Sequence, residues 1–336
     1  MKKSNNPLLY PLSWLYGLGV GLRNFLFNQG ILKQQSYPIP LICVGNITVG
    51  GTGKTPHVEL LISILRKQYR IAVISRGYKR KSRGLKEVTL TSTAEEVGDE
   101  PKQIKQKYPE VRFVVDGNRR RAMRYLLALP EEERPEVVLL DDGFQHRYVH
   151  PSFTILLIDA QRELHDDELL PLGGLREPAT ARYRADCIIL TKCPHNMQPI
   201  KLRIMQRNLD LYAHQEIFFS RIHYQHPCAV RTLLGEAGSP LPKDALVIAL
   251  SGIASPGLFF SYLEERYELI DQLVYPDHHQ FRRKEFTAIS ERWQELCEQY
   301  SGRPVYIVCT EKDAVRFTDS LGELPEELVK QLYFLP

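Results

Sequence analysis

The segment Gly45-Asn46-Ile47-Thr48-Val49-Gly50-Gly51-Thr52-Gly53-Lys54-Thr55-Pro56 has the composition of a phosphate cradle. An apolar run precedes it and a helical pattern follows it, so its glycines lie where a strand turns into a helix. Backbone N–H groups in such a turn can approach phosphate oxygens closely, and the helix N-terminus adds positive potential. Lys54 would reach the β- and γ-phosphates of a nucleotide, and Thr55 would place its hydroxyl on Mg2+. Thr48, Val49, Gly50, Gly51, Thr52 and Gly53 would wrap the phosphates. Pro56 fits the first helical turn, where its missing N–H removes no bond. The stretch departs from the strict GxxxxGK[ST] pattern at one point, because Thr48 stands in place of the first glycine.

Downstream, Val137-Val138-Leu139-Leu140 runs into Asp141-Asp142-Gly143-Phe144-Gln145-His146. Four apolar residues ending in paired carboxylates describe a strand that presents acidic oxygens at a sheet edge. A hard cation such as Mg2+ takes such oxygens directly or through water, and either Asp141 or Asp142 can serve. A strand ending in Asp is common by itself; the phosphate loop upstream makes this one informative. Gln145 and His146 either hold substrate, orient Asp142 or cap the loop. Asp99, in Gly98-Asp99-Glu100-Pro101, sits where Gly98 and Pro101 break a helical pattern, so its carboxylate either caps a turn or points into a cleft. Cys193 and His195 are close enough to suggest a metal site, but no second pair stands near them.

These groups need a sheet to carry them. Apolar runs at 40–47, 71–75, 111–115, 137–142, 154–159, 187–191, 246–251 and 305–310 read as strands. Helical patterns cover 57–69, 118–129, 200–211, 256–267 and 283–300. The strands are apolar nearly throughout, as expected when both faces of a parallel sheet are covered. The alternation predicts an α/β, doubly wound, mostly parallel sheet. Residues 223–243 turn loop-like, with Pro227, Gly235, Gly238, Pro240 and Pro242, and mark a domain boundary. Residues 8–27 are rich in Leu, Trp, Tyr and Phe. Pro11, three glycines and Arg23 argue against a spanning helix, and no small-residue cleavage site follows. A helix lying in a membrane interface suits that composition; a helix packed on the body of the protein is the other reading.

The chain has 336 residues and a formal net charge of only +4, so bulk electrostatics do not demand a nucleic-acid partner. Positive charge is local instead. Arg76, Lys79, Arg80, Lys81, Arg83 and Lys86 form one cluster, and Arg119, Arg120, Arg121 and Arg124 another. Each is either a solvated face or a surface for phosphates and anionic headgroups. The six cysteines are scattered without a CxxC pair, which argues against a disulfide framework in a chain this well supplied with apolar residues.

The Gly45–Pro56 segment and the run Asp141-Asp142-Gly143-Phe144-Gln145-His146 resemble the tetraacyldisaccharide 4′-kinase family, the lipid A 4′-kinases of Gram-negative bacteria. Further blocks agree in order: Gly98-Asp99-Glu100-Pro101, Leu169-Leu170-Pro171-Leu172-Gly173-Gly174-Leu175-Arg176-Glu177-Pro178, Pro276-Asp277-His278-His279 and Thr310-Glu311-Lys312-Asp313-Ala314-Val315. They span most of the chain, and a hydrophobic N-terminal helix is also a family feature. The resemblance implies a P-loop NTPase-like kinase that moves the γ-phosphate of ATP to the 4′-hydroxyl of a tetraacylated glucosamine disaccharide 1-phosphate, giving lipid IVA. It implies Mg2+ as cofactor, with ATP, the acylated disaccharide lipid and the membrane surface as partners and no nucleic acid. It places the protein on the cytoplasmic face of the inner membrane, peripheral or monotopic. It also implies Asp99 as catalytic base paired with His278, with His279 the competing position. Glu100 would lie near the metal, and Arg176 and Glu177 would contact ligand. The expected organisation is a membrane-associated helix at 1–35, a P-loop kinase core at 36–225 and a smaller α/β part at 240–336 that completes the active-site cleft.

Two other classes share some of these features. A P-loop switch ATPase at a membrane surface or on DNA usually carries an additional lysine near the position of Val49. A GTPase or metallochaperone would need a guanine motif or a Cys/His site; Thr191-Lys192 and Glu311-Lys312-Asp313 do not keep guanine-motif spacing.

Overall fold

The computed structural model describes residues 6–162, 164–194, 197–253, 256–277, 279, 281–318 and 320–336. The chain divides into two compact units, Met1–Ile222 and His223–Pro336. The first unit opens with helix α1 (Leu9–Asn28), strand β1 (Leu41–Gly45) and helix α2 (Lys54–Leu65). There follow β2 (Ile71–Ser75), β3 (Lys86–Glu87), α3 (Ala94–Val97), α4 (Asp99–Lys107), β4 (Arg112–Val115), α5 (Arg119–Leu127) and β5 (Val137–Asp141). The unit ends with β6 (Phe153–Asp159), β7 (Cys187–Thr191), α6 (Pro199–Leu209) and β8 (Glu216–Phe219). They build an eight-stranded sheet in the order β3-β4-β2-β5-β1-β6-β7-β8. The short edge pair β3–β4 is antiparallel and the other pairings are parallel.

The second unit carries β9 (Cys228–Ala229), β10 (Leu246–Ser251), α7 (Gly257–Glu264), β11 (Glu268–Val274) and α8 (Arg283–Gln299). It continues with β12 (Val305–Thr310), α9 (Glu311–Phe317), α10 (Glu326–Lys330) and β13 (Leu332–Leu335). Its sheet runs β11-β10-β12-β13-β9, parallel except for β9. The doubly wound, mostly parallel α/β architecture read from the sequence is present.

β2, β5, β10 and β12 are buried along their whole length because both faces of each sheet are covered. Alternate residues of one strand enter different cores. Val44, Val73 and Leu139 pack with Val58 and Ile62 of α2. Their neighbours Cys43, Ile74 and Leu140 pack with Met123 and Leu126 of α5. The register pairs Val44 of β1 with Asp141 of β5. β1 and β5 therefore end within one residue of each other, at Gly45 and Asp141, on the carboxyl edge. From there β1 returns to β2 beyond β5, whereas β5 returns to β6 on the other side of β1. Open α/β sheets collect ligands at such a reversal.

α1 presents two different surfaces. Leu8, Leu12, Trp14, Leu15, Leu18, Leu22 and Phe25 are each more than half exposed. On the other side the Ser13 hydroxyl donates to the Leu169 carbonyl at 2.9 Å and the Tyr16 hydroxyl to that of Arg176 at 2.9 Å. Phe27 is buried edge-on against Tyr148. Among the described residues no helix is long and apolar enough to cross a membrane.

Candidate active site

The loop from Gly45 to Lys54 is held at every turn. Asn46 is fully buried, and its amide donates to the Thr52 hydroxyl at 2.9 Å, closing the loop on itself. Gln145 donates to the Asn46 carbonyl at 2.8 Å, so the residues after β5 brace those after β1. A strap at 167–177 runs along the outer side of the loop. Val49 N donates to Gly174 O and Arg176 N to Ile47 O, each at 2.7 Å, and Thr48 bridges Leu175. Arg162 donates to the Val49 carbonyl at 3.0 Å and pairs with Asp167 at 2.5 Å, with angles outside hydrogen-bond geometry. Gly53 takes φ +81°, a left-handed conformation that favours glycine, and Lys54 then opens α2. The first N–H groups of a helix have no intrahelical acceptor and face whatever lies at its end.

Lys54 and Arg176 converge on Asp142. Lys54 Nζ lies 3.6 Å from Asp142 Oδ1, and Arg176 Nη1 is 3.2 Å from both carboxylate oxygens. Burial would raise the Asp142 pKa, but Lys54 and Arg176 together hold it below the ordinary value, so it is a carboxylate at neutral pH. Asp141 behaves differently. It is 3% exposed, and one of its oxygens has no hydrogen-bond partner. Burial, then the charges of Glu100 and Asp142, push its pKa well above the usual carboxylate range, against Lys54 and the Ser75 hydroxyl. Two adjacent carboxylates thus differ in proton affinity, and the more basic one, Asp141, keeps one oxygen without a hydrogen-bond partner.

Asp99 and Glu100 form the first turn of α4, behind Gly98. The charge of Glu100 reaches Asp141, which places this turn beside the carboxylate pair. Arg119, the first residue of α5, is 3% exposed, and its Nε has no partner. Burial lowers its pKa, and Asp141 and Asp142 are the charges that oppose the fall. One member of the second basic cluster is therefore a buried cation facing the carboxylates. Its neighbour Arg121 is spent on Asp116 at 2.6 and 2.8 Å. In the first cluster Arg80 holds the Gly84 and Val115 carbonyls, and Lys81 and Lys86 pair with Glu95 and Glu96.

His146 is half-buried with an unpartnered Nε2. Burial, then Arg119, Arg23, Arg120 and Arg76, push its pKa down to about 4. It is a neutral ring within a field of arginines. Glu177 is 2% exposed and accepts from both terminal nitrogens of Arg184, at 2.7 and 3.0 Å, and from Asn24 of α1 at 2.9 Å. It joins α1 to the strap. His57 of α2 contacts the Gly53 carbonyl through Nδ1 at 2.7 Å and the Ser220 hydroxyl through Nε2 at 2.9 Å. Burial lowers its pKa, so the ring is neutral with Nδ1 protonated. The Thr191 hydroxyl donates to the Thr52 carbonyl at 3.0 Å.

The residues fit Mg2+ in the manner of a nucleotide-bound ion. No group of three or more His, Cys, Asp or Glu among the described residues could enclose a metal. Mg2+ keeps several waters and takes one or two carboxylates plus phosphate oxygens. The unpartnered oxygen of Asp141, with Asp142 and the Thr55 hydroxyl, is a donor set of that kind.

His278 and His195 lie outside the described residues. In the second unit His279 stacks on Tyr275 and lies 3.7 Å from Glu285. Asp313 is fully buried and accepts from Gly252 N, the Thr310 hydroxyl and Arg316, so it fastens α9 to β10.

The family model for tetraacyldisaccharide-1-P 4′-kinase matches residues 5–335. The chain belongs to this family. The tetraacyldisaccharide 4′-kinase of Porphyromonas gingivalis is 48% identical over 98% of this chain and 91% of its own. That of Parabacteroides distasonis is 46% identical over 98% of this chain and 89% of its own. The crystal structure of LpxK from Aquifex aeolicus in complex with ATP covers 97% of this chain and 91% of its own, at 29% identity and a TM-score of 0.71. The family is one of kinases, and the chain is a kinase of lipid A biosynthesis.

Of the residues singled out from the sequence, Lys54, Asp142 and Arg176 are brought together by the fold. Sequence reasoning passed over His57 and Arg162, weighed Thr191 only within Thr191-Lys192, and gave Asn46 no role of its own. These four residues show only through single hydrogen bonds to the loop, which leave no motif. The buried Arg119 was visible only as one charge in a cluster.

Proposed function

We propose that the chain transfers the γ-phosphate of ATP to the 4′-hydroxyl of a tetraacylated glucosamine disaccharide 1-phosphate, at the cytoplasmic face of the inner membrane. The observation that carries this reading is the Lys54–Asp142–Arg176 cluster at the mouth of the phosphate loop, fastened through the strap to α1. Along α1 runs an open groove of about 680 Å3, lined by Tyr10, Trp14, Leu18, Leu22, Phe25 and Leu169. A lipid acceptor needs both features, a phosphate donor site and an apolar surface, on one body. The exposed apolar face of α1 suits the membrane interface.

Lys54 neutralises the β- and γ-phosphates. Asp141, Asp142 and Thr55 would hold Mg2+, which supplies charge neutralisation on the phosphate oxygens. Arg176 balances charge on the transferring phosphoryl group or on the substrate phosphate. Phosphoryl transfer depends on alignment and charge more than on covalent help. The acceptor oxygen bonds to the γ-phosphorus as the bond to the bridging oxygen breaks, and ADP leaves. Asp99 takes the hydroxyl proton, with His278 as its partner. Gln145 and His146 lie on the acceptor side, and the buried Glu177 supports that side through Arg184 and Asn24.

Incubation with ATP, Mg2+ and the acylated disaccharide 1-phosphate, read by mass spectrometry, should show one added phosphate on the non-reducing sugar. Phosphorylation of a soluble sugar with the lipid unmodified would refute the acceptor assignment. ATP hydrolysis indifferent to the lipid would indicate a switch ATPase instead.

A further inference from the structure

We infer that three side chains outside the phosphate-loop motif, His57, Thr191 and Arg162, are positioning residues that aim the loop by pinning its carbonyls from behind. The inference rests on that loop being the ATP site. Thr191 donates to Thr52 O at 3.0 Å, His57 Nδ1–H to Gly53 O at 2.7 Å and Arg162 to Val49 O at 3.0 Å. A trans peptide is planar, so the C=O of one residue and the N–H of the next point in opposite directions. Fixing the carbonyls of Val49, Thr52 and Gly53 therefore fixes the N–H groups of Gly50, Gly53 and Lys54 on the other side of the loop. Those N–H groups are the donors a phosphate cradle uses. Glycines at 50, 51 and 53 leave the peptides free to rotate, and φ is already +104° at Gly50 and +81° at Gly53. A loop chosen for close approach needs an outside hold on its peptide planes.

The hold is anchored on rigid ground. Thr191 is the last residue of β7 and is 1% exposed. His57 is itself braced, since its Nε2 accepts from the Ser220 hydroxyl at 2.9 Å. Ser220 is tied by its own backbone to the end of β7, donating to Leu190 O and accepting from Cys193 N, each at 2.9 Å. The Gly53 carbonyl thus connects through His57 and Ser220 to the same strand end that holds Thr52. Ser220 touches neither nucleotide motif, yet it belongs to the chain of bonds that orients the Lys54 N–H.

The test compares His57→Leu, which removes both ring contacts, with His57→Gln, whose amide can still donate to Gly53 O and accept from Ser220. Ser220→Ala and the double variant His57→Leu/Ser220→Ala complete a cycle. Lys54→Ala is the control for the loop as the phosphate site. His57→Leu should raise KM for ATP about tenfold, as expected for losing the buried hydrogen bond to the Gly53 carbonyl; the Ser220 contact acts only through the ring. KM for the lipid acceptor should hold. His57→Gln should return KM for ATP to within about twofold of the parent, and Ser220→Ala should add little in the His57→Leu background. A residue that merely supports the fold would lower the melting temperature and the active fraction while leaving KM for ATP unmoved. That outcome, or a His57→Gln protein no better than His57→Leu, overturns the proposal. If His57→Leu fails to fold, Ser220→Ala alone decides: unchanged ATP affinity refutes the brace. Full activity in Lys54→Ala would instead remove the loop as the ATP site, and this inference with it.

Discussion

Gly174→Ala is the sharpest perturbation of the strap. The residue does not occupy the left-handed region, so alanine is tolerated by the backbone, and restricting the unfolded chain would by itself stabilise by about 0.4–1 kcal/mol. Space decides otherwise. A Cβ at this position would stand 1.7 Å from Arg162 Nη2 and 2.7 Å from Cζ. Ordinary carbon contacts lie at about 3.5–4 Å, so the guanidinium must retreat by roughly 2 Å. It would then surrender both the Val49 carbonyl and Asp167. A hydrogen bond made by a charged group contributes about 1.5–3 kcal/mol, and the ion pair about 1 kcal/mol more. Partial rehydration of Arg162 returns some of this, leaving a net loss of about 2–3 kcal/mol. Calorimetry should show the melting transition falling by about 5–10 °C, since a unit of this size loses about 2–4 °C per kcal/mol. KM for ATP should rise, because the Val49 peptide is released. The decisive arm is Gly174→Ala placed on Arg162→Ala. With the guanidinium gone the new methyl has room, and the second substitution should be neutral or slightly stabilising. An equal loss in both backgrounds would show that the damage does not pass through Arg162, and the reasoning fails.

Three further outcomes concern the exposed face of α1, the proposed Asp99–His278 pair and His146. Leu15→Glu/Leu18→Glu changes the exposed side of α1 and leaves the Ser13 and Tyr16 bonds intact, so liposome association and lipid turnover should fall while ATP affinity holds; unchanged liposome binding in a sedimentation assay would refute the membrane role. Asp99→Ala and His278→Ala should each lower kcat with little effect on ATP affinity, and the double variant should be little worse than either, as for groups acting as a unit; multiplicative losses would separate them. His146 has a folded pKa of about 4, below the unfolded value of about 6.5, so between these values the unfolded chain binds more protons and stability falls as pH drops. Denaturant titration should show on the order of 1–3 kcal/mol lost across that window, and His146→Gln should flatten the slope; an imidazole titrating near 6.5 by NMR would contradict the burial and arginine field.

The strands were legible because burial on both faces writes itself as uninterrupted apolar runs, as in Val137–Asp141 and Leu246–Ser251. β8 was not, since Glu216–Phe219 lies at the sheet edge and is largely exposed. α4 does not read as a helix in the sequence: Pro101, which reads as a breaker, stands in its first turn, where its missing N–H removes no bond. Its sequence Asp-Glu-Pro-Lys-Gln-Ile-Lys-Gln-Lys holds one aliphatic side chain, and Lys102 and Gln103 are buried beside Ile104 without an apolar stripe to announce it. The basic runs misled in a specific way. Charge counts treat Arg119 and Arg121 alike, yet the first is a buried cation beside two carboxylates and the second an ion-pair partner of Asp116. Helix phase separates them, and phase requires knowing where α5 begins. Asn118 caps it, accepting from Arg121 N, so Arg119 falls in the first turn at the carboxyl edge of the sheet.

On the proposed reading, the loop groups that would contact phosphate are contiguous in sequence, whereas the groups that would aim them are remote. Lys54 and Thr55 are adjacent to the glycines they serve. His57 meets Ser220 across 163 residues, Arg162 meets Val49 across 113, and Gln145 meets Asn46 across 99. A short loop can carry its own donors, but it cannot supply an external hold on its peptide planes, because its glycines are chosen for freedom. The hold must come from the ends of neighbouring strands, which the topology brings to the same edge: β7 supplies Thr191, the chain after β6 supplies Arg162, and the chain after β5 supplies Gln145. The strap closes the remaining side, and α1 binds the strap through Ser13, Tyr16 and Asn24. Any element that shifts α1 is therefore coupled to Arg176, and through it to Asp142 and Lys54. On the proposed reading the surface helix and the phosphate site are linked by one chain of contacts, so substitutions at Tyr16 should register in ATP kinetics although Tyr16 meets the site only through its hydroxyl on the Arg176 carbonyl.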